Sequence, residues 1–376
     1  MSKGIFIGLS SLLLFLVLTG CEPVRTSKPT EESGSLLPAG GYGDQAHMNS
    51  KRDALVAFIQ GRLTGPDGIY TNLKDTGQSA EMATGHEVLS ESSGFMLRYY
   101  ALTGQRDMYD GMWARTKQIF DLPSGFSYRY SPLLSKKYPV NAAVDDLRII
   151  RSLYEAGQVF QDDTYTSEAK TYGQRFYEHN VKDGLLYDFY DNTYHITNDS
   201  ITLCYIDLKT LKLLPIADKP KAAFISNMLG ISKKGYLGDN FPFYETRYEY
   251  QKAAYSSERI NTVESLLTIL SLAEIRQHEP SSIRFIKDQV KAGTLYGQYT
   301  KEGKPTTDIR STAIYAITAM IGAELGDRSL YEDSIRRMNE FQVLDSGNML
   351  HGGFGDTGSG QAYSFDNLMA LLAYAY

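Results

Sequence analysis

The chain has 376 residues, a formal net charge of −6 and a pI near 5.6, and no basic stripe runs through it. This charge distribution excludes nucleic acid as the expected partner, because contact with phosphates needs clustered Lys and Arg. The six His and two Cys residues are scattered, so we expect neither a metal nor another cofactor. The 28 Tyr side chains suit stacking on sugar rings, although Tyr is also ordinary core material.

The first 20 residues have the pattern of a secretory signal peptide. Lys3 precedes an apolar run over residues 4–18, and Leu18-Thr19-Gly20-Cys21 follows. This ending resembles a bacterial lipobox, which implies that Cys21 is acylated and becomes the mature N-terminus. We therefore expect a membrane partner, held through an N-terminal lipid anchor on the extracytoplasmic side. An uncleaved anchor is the alternative.

Residues 21–45 are rich in Ser, Gly, Pro, Thr and charge, and they predict a flexible tether because they cannot bury enough apolar surface to become ordered. The folded domain is predicted over residues 46–376. With Cys21 lipidated, only Cys204 remains, so no intrachain disulfide can form. Core packing must then supply the stability.

Two kinds of helix alternate along the rest of the chain. Apolar helices that follow an acid or a polar cap are predicted at residues 92–102, 147–156, 201–214, 265–275, 311–325 and 368–376. Amphipathic helices are predicted between them at residues 50–63, 109–120, 164–180, 219–229, 281–291 and 330–340. Short hairpin pieces are expected at 125–130 and 185–192. Six such pairs, repeating every ~45–65 residues, predict an all-α (α/α)6 toroid.

Acids precede the inner helices of this predicted ring, and the helices would all begin at one face. Their N-terminal carboxylates would then converge on a cleft, where mutual repulsion raises some pKa values. Glu91 stands at the start of the first inner helix, where the helix dipole favours an acid. From spacing alone, Glu91 could be such a first-turn acid with no further role.

Two motifs around Glu91 resemble glycoside hydrolase family 8, the inverting endoglucanases and their relatives. Ser90-Glu91-x-x-Gly94-Phe95 is similar to the family's S-E-G-x-[GS]-[YF] signature, and Tyr109-Asp110-x-x-Trp113-x-x-Thr116 is similar to its F-D-x-x-W-x-x-T segment. The resemblance implies an (α/α)6 toroid. It also implies that Glu91 is the general acid that protonates the leaving glycosidic oxygen.

Further segments resemble the family in the same order. Asp146-Leu147-x-Ile149 is similar to the family's D-A-D-L-x-I helix, with Asp146 on its second aspartate and Asp145 on the residue before it. Tyr205 lies in a segment similar to one that lines the family's cleft. The resemblance implies a substrate-orienting role for Asp146 and contacts to substrate from Asp145 and Tyr205. Trp113 is either core or a sugar platform.

One segment departs from the family. The family's base lies in Y-D-A-x-R-[VI], whereas this chain has Tyr255-Ser256-Ser257-Glu258-Arg259-Ile260. Serine cannot deprotonate water at neutral pH, so the base must come from elsewhere or be missing. The candidates are Glu258, Glu264, Asp145 and Asp146, and Glu258 is our choice. Tyr255 and Arg259 are expected to line the cleft, with Arg259 as a substrate clamp or as a neutraliser of the acids.

The sequence thus predicts a lipid-anchored, endo-acting glycoside hydrolase that cleaves a β-linked polysaccharide with inversion. An exopolysaccharide is favoured over cellulose as the substrate, with the exopolysaccharide synthesis machinery as a partner, because an anchor keeps the enzyme where polymer leaves the cell. The alternative is a non-catalytic polysaccharide-binding component of an export or biofilm complex. The missing motif aspartate favours that alternative.

Overall fold

The computed structural model describes residues 36–38, 41–45, 48–77 and 82–376. The predicted signal peptide (residues 1–20), the lipidation site Cys21 and most of the predicted tether lie outside the described residues. None of the helices within these ranges is long and apolar enough to cross a membrane.

Thirteen α-helices occur in the described part of the chain. They are α1 (Tyr42–Gln45), α2 (Asn49–Phe58), α3 (Ser90–Leu102), α4 (Arg106–Phe120), α5 (Ala143–Phe160), α6 (Asp163–Asn180), α7 (Leu208–Leu213), α8 (Asp218–Lys234), α9 (Thr262–Glu274), α10 (Pro280–Ala292), α11 (Thr312–Leu325), α12 (Arg328–Met338) and α13 (Ser364–Ala375). A π-helical turn at Ile59–Leu63 continues α2, and 3-10 turns occupy Leu203–Tyr205 and Asn339–Phe341.

The strands are short and form small antiparallel sheets between the helices. They are β1 (Thr64–Gly65), β2 (Gly68–Ile69), β3 (Val88–Leu89), β4 (Asp121–Leu122), β5 (Gly125–Phe126), β6 (Arg129–Ser131), β7 (Lys136–Lys137), β8 (Val181–Lys182), β9 (Leu185–Leu186), β10 (Tyr190–Asp191), β11 (Ile196–Thr197), β12 (Ser200–Thr202), β13 (Arg247–Glu249), β14 (Ala254–Ser256), β15 (Ile260–Asn261) and β16 (Gln298–Tyr299). The β4–β5, β8–β9 and β10–β11 pairs place hairpins where the sequence predicts them.

Helices α3, α5, α7, α9, α11 and α13 form a closed inner ring, in which each helix packs on the next and α13 packs on α3. The inner helices run in the same direction. Near the starts of α3 and α13, Ser92 Oγ donates to Ser364 Oγ at 3.0 Å, and near their ends Arg98 Nη2 donates to the Tyr376 hydroxyl at 3.1 Å. Helices α2, α4, α6, α8 and α12 pack outside the ring, with α10 against α12. This arrangement confirms the (α/α)6 toroid.

The third inner helix is shorter than the prediction of residues 201–214. Residues 200–202 form β12, which pairs with β13, and α7 covers only Leu208–Leu213. The buried carboxylate of Asp188 accepts hydrogen bonds from the Thr202 backbone N–H at 2.6 Å and its hydroxyl at 2.9 Å. These bonds hold the segment extended at the point where periodicity alone predicts a helix.

A network of buried ion pairs joins the C-terminal halves of the inner helices. Arg98 Nη2 lies 2.7 Å from Glu155 Oε1, and Arg151 Nε lies 3.1 Å from the same oxygen. Arg151 also pairs with Glu274 of α9. Removing one member would leave a buried charge without compensation, which is strongly destabilising. The network therefore ties α3, α5 and α9 to one another at the end of the ring where the helices finish.

Helix α1 packs on the end of α13. The Tyr42 backbone N–H donates to the Tyr376 carbonyl at 3.2 Å, and the rings of Tyr42 and Tyr331 lie 5.4 Å apart. A Cβ atom at Gly43 would lie 2.0 Å from the Tyr374 carbonyl oxygen, so this close approach requires glycine. The predicted tether boundary at residue 45 is therefore too late, because residues 41–45 belong to the folded body.

Candidate active site

Carboxylates occupy the first turns of four inner helices. Glu91 lies in α3, Asp145 in α5, Glu264 in α9 and Asp366 in α13. Since the inner helices run in the same direction, all four acids lie at the face where the helices start. The unpaired N–H groups of helix starts favour anionic groups there.

Glu91, Asp145 and Arg148 form the central cluster of this face. Arg148 Nη1 donates to Asp145 Oδ1 at 2.7 Å, and both side chains are buried, whereas Glu91 is partly exposed. Burial and, after it, the neighbouring Asp145 charge raise the pKa of Glu91 to about 7, and Arg148 opposes the rise. Burial also raises the pKa of Asp145, against the lowering effect of Arg148. Glu91 can therefore carry a proton near neutral pH.

Gly94 and Phe95 of the α3 motif hold Arg148 in place. The Arg148 guanidinium carbon lies 3.9 Å from the centroid of the Phe95 ring, in cation–π contact. A Cβ atom at Gly94 would lie 3.2–3.3 Å from the aliphatic carbons of Arg148, so the glycine makes room for this side chain. Sequence reasoning missed Arg148, although an acid and an Arg three residues apart on a helix can form an ion pair.

Tyr205 lies beside the acid cluster. It ends the 3-10 turn that precedes α7, and its side chain is partly buried. Burial raises the pKa of Tyr205, and the charges of Asp145 and Glu91 are among the groups that raise it further. Contact of Tyr205 with substrate stays a prediction.

An open cleft lies at β13, β14 and the start of α9; Glu264, one of the four first-turn acids, lines it, whereas Glu91, Asp145 and Arg148 do not. Its volume is about 750 Å³, and its lining comprises Thr246, Arg247, Tyr255, Ser256, Ser257, Glu258, Arg259, Glu264, Gln298 and Lys301. Glu258 is exposed, and Arg259 Nη1 donates to Gln298 Oε1 at 3.1 Å. The Tyr255 hydroxyl donates to the Ile231 carbonyl at 2.6 Å. The Ser256 segment therefore lines this cleft, and its place in the catalytic site stays a prediction.

Asp146 does not face the cleft, which corrects the prediction that it orients substrate. Its side chain is 0% exposed; Oδ1 accepts the Phe126 backbone N–H at 3.1 Å and Oδ2 accepts Asn141 Nδ2 at 2.7 Å. A Cβ atom at Gly125 would lie 2.1 Å from Oδ2. Successive residues of a helix point in different directions. Because the Asp145 side chain lies beside Glu91, the side chain of Asp146 points to the β4–β5 hairpin instead.

Trp113 is core and does not form a sugar platform. It lies on the outer helix α4 and is 4% exposed. Its ring makes edge contacts with the rings of Phe126 and Tyr172, at centroid distances of 5.9 and 5.5 Å, and its indole N–H donates to Glu168 of α6. The indole is used in packing α4 against α6, so of the two predicted alternatives the structure favours core over the substrate-binding sugar platform.

Comparison with family models of known proteins gave no match. A curated relative from Bacillus subtilis, named "Putative lipoprotein YdaJ", is 27% identical over 293 residues, which cover 76% of this chain and 78% of the relative. A solved structure described as a novel alpha-amylase from Clostridium perfringens is 31% identical, with a TM-score of 0.80 over 86% of this chain and 97% of that chain. A family 8 xylanase from Teredinibacter turnerae shares the fold at 11% identity, with a TM-score of 0.63 over 87% and 92% of the two chains.

The closed double ring of helices, with carboxylates gathered where the inner helices begin, defines a glycoside hydrolase of the (α/α)6 class. The likeness to the Clostridium perfringens structure extends over nearly all of that protein. The chain belongs to the family of that protein, and it shares the fold of the family 8 glycoside hydrolases.

Proposed function

We propose that this protein is an endo-acting, inverting glycoside hydrolase, anchored outside the cell through Cys21, and that its substrate is a β-linked exopolysaccharide. The observation that carries the proposal is the cluster of Glu91, Asp145 and Arg148 at the face where the inner helices start. A carboxyl with a pKa of about 7 is about half protonated at neutral pH, so it can serve as a general acid there. An open cleft of about 750 Å³, which another first-turn acid, Glu264, lines, offers room for a polysaccharide chain.

In the proposed reaction, Glu91 donates its proton to the glycosidic oxygen as the bond from that oxygen to the anomeric carbon breaks. Asp145, paired with Arg148 at 2.7 Å, supplies negative charge and an acceptor for a sugar hydroxyl. A water attacks the anomeric carbon from the opposite side and loses its proton to a second carboxylate, which inverts the configuration. Tyr205, whose pKa the charges of both acids raise, is the proposed further contact to the sugar.

Glu258 remains our proposed base. It is exposed on the cleft lining, two residues after Ser256, which occupies the position of the family's aspartate. Glu264 is the competing candidate, because it lines the same cleft from the first turn of α9, and burial raises its pKa. Azide rescue separates them: added azide should restore turnover to Glu258→Ala, giving a glycosyl azide of inverted configuration, but not to Glu264→Ala. Hydrolysis by Glu258→Ala at the wild-type rate would exclude Glu258.

Two relatives bear on the substrate. The Bacillus subtilis relative is named as a lipoprotein, which supports an anchored enzyme, and an anchored enzyme meets polymer as it leaves the cell near the exopolysaccharide synthesis machinery. The Clostridium perfringens relative is described as an alpha-amylase, and this favours an α-linked glucan as a second candidate substrate.

A product assay decides between these substrates. The protein is incubated with exopolysaccharides, β-glucan, xylan, chitosan and starch, and new reducing ends are measured against a Glu91→Gln control. Release from a β-linked polymer alone supports the proposal, whereas release from starch alone supports the α-linked candidate. Binding without any new reducing ends would leave the non-catalytic alternative.

A further inference from the structure

Two neighbouring hairpin turns carry a large share of the exposed apolar side chains. Among the described residues, four of the ten large hydrophobic side chains that are exposed lie in or beside these turns. They are Leu133 (77% exposed) and Leu134 (60%) between β6 and β7, and Tyr194 (72%) and Ile196 (56%) at the β10–β11 turn. Scattered apolar residues on a surface are ordinary, whereas grouped ones mark a contact with another surface. We call residues 132–135 and 192–196 the paired tips.

Backbone pairing places the two tips side by side. The chain that leaves β7 continues to Val140, which pairs antiparallel with Asp191 of β10, and the Asn192 backbone N–H donates to the Pro139 carbonyl at 2.8 Å. In an antiparallel pair, the start of one strand lies beside the end of the other. The β6–β7 turn precedes the first of these strands and the β10–β11 turn follows the second, so both tips project in the same direction.

Hydrogen bonds hold both turns in shape. Asp191 Oδ1 accepts the backbone N–H groups of Thr193 at 2.7 Å and Tyr194 at 3.2 Å. In the other turn, Ser131 Oγ accepts the Leu134 backbone N–H at 3.2 Å. The apolar side chains of the paired tips are therefore held in contact with water, which is unfavourable until another apolar phase covers them.

The charged side chains at the paired tips are positive. Lys136 and Lys137 directly follow the first tip, and both are exposed. Residues 131–138 and 192–198 contain neither Asp nor Glu, although the whole chain has a net charge of −6. Lysines attract the phosphates of anionic lipids, and Lys and Tyr side chains can keep their polar ends at the headgroups while apolar neighbours enter the lipid.

We propose that the paired tips dock on the surface of an anionic phospholipid bilayer. Leu133, Leu134 and Ile196 enter the apolar layer, and Lys136 faces the lipid phosphates. A polysaccharide fits the paired tips less well, because sugar rings stack on aromatic faces and three of the four apolar side chains are aliphatic. This docking goes beyond the proposed function and depends on neither the hydrolytic activity nor the path of the chain before the folded body.

A tryptophan at the second tip reports docking. The chain has a single Trp, and Trp113 is buried, so Tyr194→Trp adds the exposed indole and the wild-type chain measures the background. Met108→Trp is the matched control, because Met108 is also exposed but lies in α4, after the end of α3. The paired tips, by contrast, are joined through β6 to β3, before the start of α3.

The full-length proteins are mixed with vesicles of phosphatidylcholine alone or with added phosphatidylglycerol, in which the acyl chains carry bromine as a quencher. On the anionic vesicles we expect a blue shift and quenching for Tyr194→Trp and a much smaller change for Met108→Trp. Absence of quenching at residue 194, equal quenching at both positions, or equal quenching with both lipids would overturn the proposal. A response at residue 194 to soluble polysaccharide but not to vesicles would also overturn it, and would assign the tips to substrate.

Substitutions at the first tip give a second measurement by lipid titration. Added to Tyr194→Trp, Leu134→Ser should lower the ratio of docked to undocked protein about tenfold, and Lys136→Gln should lower it about fivefold on anionic vesicles. Lys219→Gln, exposed on α8, removes the same charge elsewhere and should leave the ratio unchanged. These positions are exposed, so the fold should be kept. Unchanged docking of Leu134→Ser and Lys136→Gln would contradict the proposal even if the protein hydrolyses polysaccharide as proposed.

Discussion

Replacement of the Glu91 carboxyl by an amide should abolish hydrolysis and stabilise the fold at alkaline pH. The pKa of Glu91 is about 7 in the folded protein, against an ordinary value of 4.5. The folded state therefore binds more protons than the unfolded state between these two pH values, and wild-type stability falls as pH rises through this window. The full difference of 2.5 units, at 1.36 kcal/mol per unit, corresponds to about 3 kcal/mol above pH 7. Glu91→Gln does not titrate and escapes this loss.

Urea titrations of the two proteins at pH 5 and pH 8 measure the effect. The free energy of unfolding of Glu91→Gln relative to wild type should increase by up to about 3 kcal/mol between the two pH values. Hydrolysis should fall at least about a hundredfold, because the proton donor is gone. Glu258→Gln is the matched control for the stability measurement only, since it removes one negative charge from an exposed position, where substitutions change stability little.

Three results would refute this reasoning. If the stability difference is the same at both pH values, Glu91 does not hold its proton in the folded state, and its role is that of an ordinary first-turn acid. If Glu91→Gln is destabilised at pH 8, the ionised carboxylate is a net stabiliser of the α3 start. Retained hydrolysis would end the assignment of Glu91 as general acid, whichever stability result accompanies it.

Five other substitutions have separate expected outcomes. In pH–rate profiles, Asp145→Asn should move the alkaline limb down by about one unit and Arg148→Gln should move it up, because these charges shift the pKa of Glu91 in opposite directions. Asp146→Ala should lower the urea midpoint, since two buried donors lose their partner at about 1–3 kcal/mol each. Trp113→Phe should leave the KM for polymer unchanged. Cys21→Ser should release a folded, soluble protein from the membrane fraction.

The ring could be predicted because its signal is repeated. Five inner helices and all six outer helices occur near their predicted positions, since each inner helix is buried on most sides and each outer helix on one. The exception is the third inner position, where Asp188, about a dozen residues upstream, holds Thr202 extended. A single contact between an acid in a loop and a strand produces no periodic pattern of residues. Such a contact therefore cannot be predicted from the spacing of apolar residues in the sequence.

The site was less accessible to sequence reasoning. The family motifs predict Glu91 and Tyr205 at the face where the inner helices start. They do not predict whether Asp145 or Asp146 lies beside Glu91. Which aspartate faces Glu91 depends on the orientation of α5 about its own axis. That orientation is set by the packing of α5 against the β4–β5 hairpin. Arg148 has no motif of its own, and its importance follows only from its 2.7 Å contact with Asp145 and its position over Phe95.

Closure of the ring has a consequence for the order of folding. The last inner helix, α13, docks on the first, α3, and the fully buried Tyr376 carries the bond to Arg98. Until residues 364–376 are in place, the described inner helices can form only an open crescent with apolar edges at α3 and α11. Contacts between residues far apart in sequence form slowly. Until they form, the apolar edges of the crescent stay exposed and promote aggregation. Truncation before Ser364 should therefore yield a collapsed, aggregation-prone intermediate and not a smaller enzyme.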